Sequence, residues 1–84
     1  MVVREGMRIT VSHVTIEIVE VIPYQTPSGG KHFLVAYRIH DHGYVSPVAH
    51  FWISETESST EKLKDKLAEI VDYYKQLKTR GVLP

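Results

Sequence analysis

The chain has no cysteine, no asparagine and only two glutamines among its 84 residues. Without cysteine there are no disulfides, no thiolate nucleophile and no cysteine-bound metal. Depletion of thermolabile amides is a weak signature of proteins from hot environments, which points to a thermophilic source. No run approaches the ~18 apolar residues of a membrane span, and the opening MVVREGMRIT lacks a signal-peptide pattern, so a cytoplasmic protein is expected. Net charge of one sign is missing too: ten basic residues balance ten acidic ones. The broad positive field used by most nucleic-acid binders is therefore absent.

An apolar fraction of 43% with 24% charged residues is that of an ordinary globular domain. A chain this short buries only about 60–65% of the surface its unfolded form exposes, so a single small domain over 1–84 is expected, with residues 1–6 flexible. Its stability is marginal unless a partner helps.

The most informative stretch runs from Lys31 to Ile53, KHFLVAYRIHDHGYVSPVAHFWI. It reads as a β-hairpin closed at Asp41-His42-Gly43, with His40 opposite Tyr44. Period-2 alternation then puts Phe33, Val35, Tyr37, Ile39, Val45, Pro47, Ala49, Phe51 and Ile53 on a core face. The other face carries His32, Leu34, Ala36, Arg38 and His40, answered by Tyr44, Ser46, Val48, His50 and Trp52. That face is too polar to bury and too aromatic to be inert.

Upstream, Arg8 to Ile22 is rich in β-branched residues whose apolar phase switches between Ile18 and Val19, which predicts one strand bent at a β-bulge. Its outer side presents some of Val11, His13, Thr15 and Glu17. Pro23 to Gly30, PYQTPSGG, reads as a loop; a phosphate-binding loop would need a Gly-Lys-Ser/Thr signature opening a helix. Downstream, Leu63, Leu67, Ile70, Tyr74 and Leu77 are spaced 4, 3, 4 and 3, with Val71 widening the stripe. A helix from about Ser59 to Arg80 follows, with Ser58 and Glu61 as a capping box and Gly81 as the stop. The stripe lasts about two heptads, too few for a coiled coil, so it is assigned to packing on the sheet. The expected fold is α+β: three antiparallel strands, about 7–22, 31–40 and 44–53, with one long C-terminal helix packed on one face.

Functional classes narrow quickly. His40, His42 and His50 invite a metal, but the turn residue and the residue near Leu34 on the partner strand are too far apart to share one; no metal or other cofactor is expected. One sheet and one helix leave little room for a catalytic pocket, and Glu55, Glu57 and Glu61 are the charges a helix entry favours, so no enzyme activity is expected. What remains is a small binding module. His32, Arg38, His40, Tyr44, His50 and Trp52 have the ring-plus-cation composition of a stacking platform for RNA or single-stranded nucleic acid. Glu61, Asp65, Glu69 and Asp72 on the helix would repel phosphate and direct it to the sheet. The alternative is that the same face is covered by another protein or a second copy, as a homo-oligomer or part of a larger assembly.

Overall fold

A computed structural model of the chain describes residues 3–57 and 59–81. It contains β1 (Arg8–Val11), β2 (Val14–Gln25), β3 (Lys31–Asp41), β4 (Tyr44–Val45), β5 (Ala49–Ser54), a single 3-10 turn at Glu55–Glu57, and α1 (Thr60–Thr79). The strands form one antiparallel sheet in the order β1-β2-β3, with β4 and β5 both paired to the far side of β3. The α+β class with one C-terminal helix is as expected. The strand count is not, and the reasons are local.

The expected strand from residue 7 to 22 is a hairpin. Ser12 and His13 both adopt left-handed conformations, with φ of 49° and 69°, so the chain reverses in two residues and pairs Val11 with Val14. Two consecutive positive φ values match the right-handed twist of the flanking strands. The bulge foreseen at the phase change is present: the register of β2 on β3 shifts between Ile18 and Glu20, so Ile16, Ile18 and Val21 all face inward. Beyond it β2 continues through Pro23 to Gln25, where a loop was expected. β1 pairs only with Val14 to Glu17, so this end of β2 lies at the sheet's edge, where proline costs no ladder bond. Val3 is buried in the core, the Glu5 carboxylate accepts from the Val21 N–H, and Gly6 N–H donates to the Ile18 carbonyl at 2.7 Å; residues 3–6 are anchored rather than loose.

The β3–β4 turn also closes in two residues, His42 and Gly43, with φ of 48° and 89°. Asp41 therefore faces Tyr44, and His40 faces Val45. The expected three-residue closure was one residue out, and a one-residue slip exchanges faces. Tyr44 points inward and Val45 outward. The segment 46–48 then absorbs one residue: Pro47 cannot donate to the ladder, and Ser46 satisfies Ile39 instead, its Oγ accepting from the Ile39 N–H at 2.8 Å and its own N–H donating to the Ile39 carbonyl at 2.9 Å. β5 resumes in the expected phase, with Ala49, Phe51 and Ile53 inward opposite Tyr37, Val35 and Phe33.

α1 starts at Ser59, whose Oγ accepts from the Lys62 N–H at 3.3 Å. The expected partner Ser58 lies outside the described residues, and the third helical position is Lys62, which cannot complete a capping box. Leu63, Leu67, Val71 and Tyr74 are buried against the inner sheet face, with Ile70 packed beside them. Near the helix end, Lys75 Nζ donates to the Ser12 carbonyl at 3.0 Å, while Tyr74 OH and Lys78 Nζ each donate to Asp41 Oδ2 at 2.9 Å. Both tight turns are thereby tied to the same end of α1.

Candidate binding surface

With α1 on the inner face, the outer face of the sheet stays open. Its rows follow from the register. Starting beside the 26–30 loop they run Tyr24, His32, Ser54; then Ile22, Leu34, Trp52; then Glu20, Ala36, His50; then Arg8, Glu17, Arg38; and last Thr10, Thr15, His40, Val45. Five of the six predicted site residues, His32, Arg38, His40, His50 and Trp52, share this face. Tyr44 does not: it lies under the helix, its ring stacked on Tyr74 with centroids 6.2 Å apart and planes 18° apart. His50 faces Ala36 rather than Leu34, because the 46–48 interruption shifts β5 along β3.

The face has two halves of different chemistry. At the loop end, Trp52 and Tyr24 are 53% and 48% exposed and meet edge to face, with ring centroids 5.3 Å apart and an interplanar angle of 63°. Edge-to-face contact is the arrangement favoured by the ring quadrupoles, so the pair holds itself in place in water. Leu34 and Ile22 form its floor, and His32 and His50 border it. Tyr24 was missed from the sequence because Pro23 made its segment look like a loop; the signal that could have found it is a β-favouring tyrosine in phase with Glu20 and Ile22.

The other half is charged and internally paired. His40 Nε2 donates to Glu17 Oε1 at 2.8 Å, and Glu17 lies opposite both Arg8 and Arg38 in the register. The His40 hydrogen bond, helped by Arg8 and Arg38 and opposed by partial burial, lowers the Glu17 carboxyl below its ordinary value. Arg38, the permanent cation expected to meet phosphate, thus has an acid beside it. Glu61, Asp65, Glu69 and Asp72 are exposed on α1 as expected, but Lys62, Lys64, Lys66, Lys75 and Lys78 accompany them, so the helix carries five lysines against four acids and no net negative charge.

His42 is separate from this surface. It sits in the β3–β4 turn with Nδ1 donating to Asp41 Oδ1 at 2.6 Å. Among the described residues no three His, Asp or Glu side chains gather where they could hold a metal ion. No helix among them is long and apolar enough to cross a membrane.

On the inner side, α1 leaves a groove of about 610 Å³ between itself and the β4–β5 edge. Tyr37, Phe51, Ile70, Tyr73 and Leu77 are among its walls, with Lys66 and Glu69 also lining it. Burial raises the Tyr37 phenol above its ordinary pKa. No known protein family, curated protein or solved structure matches the chain.

Proposed function

We propose that the protein is a non-enzymatic, cytoplasmic binding module that takes single-stranded nucleic acid across the outer face of its sheet. The observation carrying this reading is the solvent-facing Tyr24–Trp52 pair, two rings held on a rigid sheet with His32 and His50 alongside and Lys31 at the strand end. Unpaired bases stack on such rings irrespective of sequence. Backbone contact falls to few cations, because Glu17 neutralises much of the charged half, so binding is weak at neutral pH and rises on acidification as imidazoles become charged.

A fluorescence-anisotropy titration of labelled single-stranded RNA and DNA at pH 7.5 and 5.5, each at low and high salt, tests this. Tighter binding at pH 5.5, weakened by salt, is expected. Each ring contributes ~1–3 kcal/mol when a base stacks on it, so Trp52→Ala and Tyr24→Ala should each weaken binding by roughly 5- to 150-fold. Both side chains face solvent, so the melting temperature should barely move. No binding in any of the four conditions removes the nucleic-acid reading.

The Glu17 cluster favours a second reading, in which the outer face is covered by protein. A half whose charge is partly offset by Glu17 beside an aromatic, apolar half is the composition of an interface core with a polar rim. Acidification would then weaken the complex, because charged imidazoles would gather in a desolvated patch.

A further inference from the structure

We infer that the protein pairs with a second copy of itself, edge to edge, through β5. Sheet edges in soluble proteins are ordinarily blunted by charge, proline, bulges or shortness. The other edge is formed by β1, four residues long and opening on Arg8, and by the end of β2, which carries Glu20 and Pro23. β5 has none of these devices between Ala49 and Ile53: AHFWI holds no proline, lysine, arginine or acid, and it pairs with β3 alone. Its neighbouring charges lie outside this stretch.

A second copy fits this edge better than a foreign strand because the flanking surfaces are self-complementary. Antiparallel pairing about a two-fold axis perpendicular to the sheet keeps outer face with outer face. Trp52 of one copy then lies beside His50 or Trp52 of the other, and Phe51 beside the inward residues of its counterpart. On the inner side the two apolar grooves meet along the seam, each presenting Val48 and Tyr73, the latter 62% exposed on α1. A stable interface needs ~800 Å² from each partner. The exposed side chains beside this edge, Val45, Val48, Trp52 and Tyr73, supply about half of that at ~150–250 Å² for each aromatic when fully buried, and the groove walls and strand backbone supply the rest. This pairing leaves Tyr24, His32 and Arg38 uncovered but draws Trp52 toward the seam, so bases stacking on Trp52 compete with it.

The absence of cysteine makes the test clean. Single-cysteine variants His50→Cys and Trp52→Cys on β5 are compared under mild oxidation with Glu20→Cys, on the outer face of β2, and Lys64→Cys, on α1. With Trp52 opposite Trp52 the Trp52→Cys variant, and with Trp52 opposite His50 a mixture of the two β5 variants, should yield a disulfide-linked dimer at protein concentrations where the two controls stay monomeric. In sedimentation equilibrium the parent chain should approach twice its 9.6 kDa mass as concentration rises. Trp52→Lys with Tyr73→Lys should return it to monomer, melting as the parent does when diluted to monomer, and Tyr73→Lys alone should weaken dimerisation without weakening nucleic-acid binding. A parent that stays at 9.6 kDa throughout, or faster crosslinking at Glu20→Cys, which signals face-to-face contact, overturns the proposal. So does a dimer that survives the double lysine variant.

Discussion

Tyr74→Ala is expected to destabilise the protein by about 3–5 kcal/mol, the range for removing a large aromatic side chain from a core. The ring is 3% exposed, stacks on Tyr44, and carries the hydroxyl that donates to Asp41. The change removes packing between the helix and the β3–β4 hairpin together with the bond that fixes their spacing. Against a total stability of roughly 5–15 kcal/mol for a domain, with this one at the small end, that is enough to leave much of the chain unfolded at ambient temperature. Tyr74→Phe separates the two contributions: it keeps the packing and loses one hydrogen bond to a charged acceptor, about 1.5–3 kcal/mol. Leu67→Ala, at a site with no exposed surface, should cost about 2–5 kcal/mol, while Phe51→Ala should cost less than Tyr74→Ala because its ring already borders the open groove. Urea titrations followed by circular dichroism give the ranking directly. Parent-like midpoints for Tyr74→Ala and Leu67→Ala together would mean that α1 is not packed on the sheet through this stripe.

These core positions were legible in the sequence because helical spacing in α1 and alternation in β3 are long and regular. The bulge near Val19 was legible for the same reason: a phase change inside a β-branched run has few other physical outcomes. The tight turns were not. Asn-Gly and Asp-Gly announce a two-residue reversal, whereas Ser12-His13 and His42-Gly43 reach the same left-handed φ values with residues that are common elsewhere. The consequences differed in kind. Missing the Ser12-His13 turn merged two strands into one and left the faces nearly intact. Misplacing the second turn by one residue exchanged Tyr44 and Val45 across the sheet and removed Tyr44 from the candidate surface.

The surface itself was half legible. Alternation over Lys31 to Asp41 was sufficient to put His32, Arg38 and His40 on one face, and β5 kept its phase only because the 46–48 interruption restored it. Partners across strands were hidden, since nothing in a linear sequence shows that Glu17 sits between Arg8 and Arg38, or that Tyr24 reaches Trp52. Those two pairings decide the character of the face: the first offsets part of its charge and the second gives it a pair of exposed rings.

Asp41→Ala is the other substitution with a large expected effect, about 2–4 kcal/mol. Asp41 is 7% exposed, yet it is the common acceptor for Tyr74, Lys78 and His42. Removing it does not strand three groups equally. Lys78 and His42 are 47% and 82% exposed and return to water at little cost. The Tyr74 hydroxyl stays buried and loses its partner, a penalty of about 1–3 kcal/mol, to which the lost charge-assisted bonds add. The pH dependence carries the same signature. Hydrogen bonds from Lys78 first, then His42 and Tyr74, outweigh burial and hold the Asp41 carboxyl well below the ordinary carboxylate range. A pKa depressed in the folded state means the unfolded chain takes up protons first, so this stabilisation is complete above the unfolded value of about 4 and is lost as pH falls below it. Burial, followed by the bond to Asp41, pushes the Tyr74 phenol up to about 12. Its contribution has the opposite sense: complete below the unfolded value of about 10, it is lost as pH rises through the folded value. Thermal melts of the parent should therefore fall off at both extremes, below about pH 4 and above about pH 10. In Asp41→Asn the acid-side loss should be smaller, since the amide does not titrate, and the melting temperature near neutrality should already be reduced. Equal steepness of the acid limb in parent and Asp41→Asn would show that other carboxylates, not this buried one, govern acid unfolding.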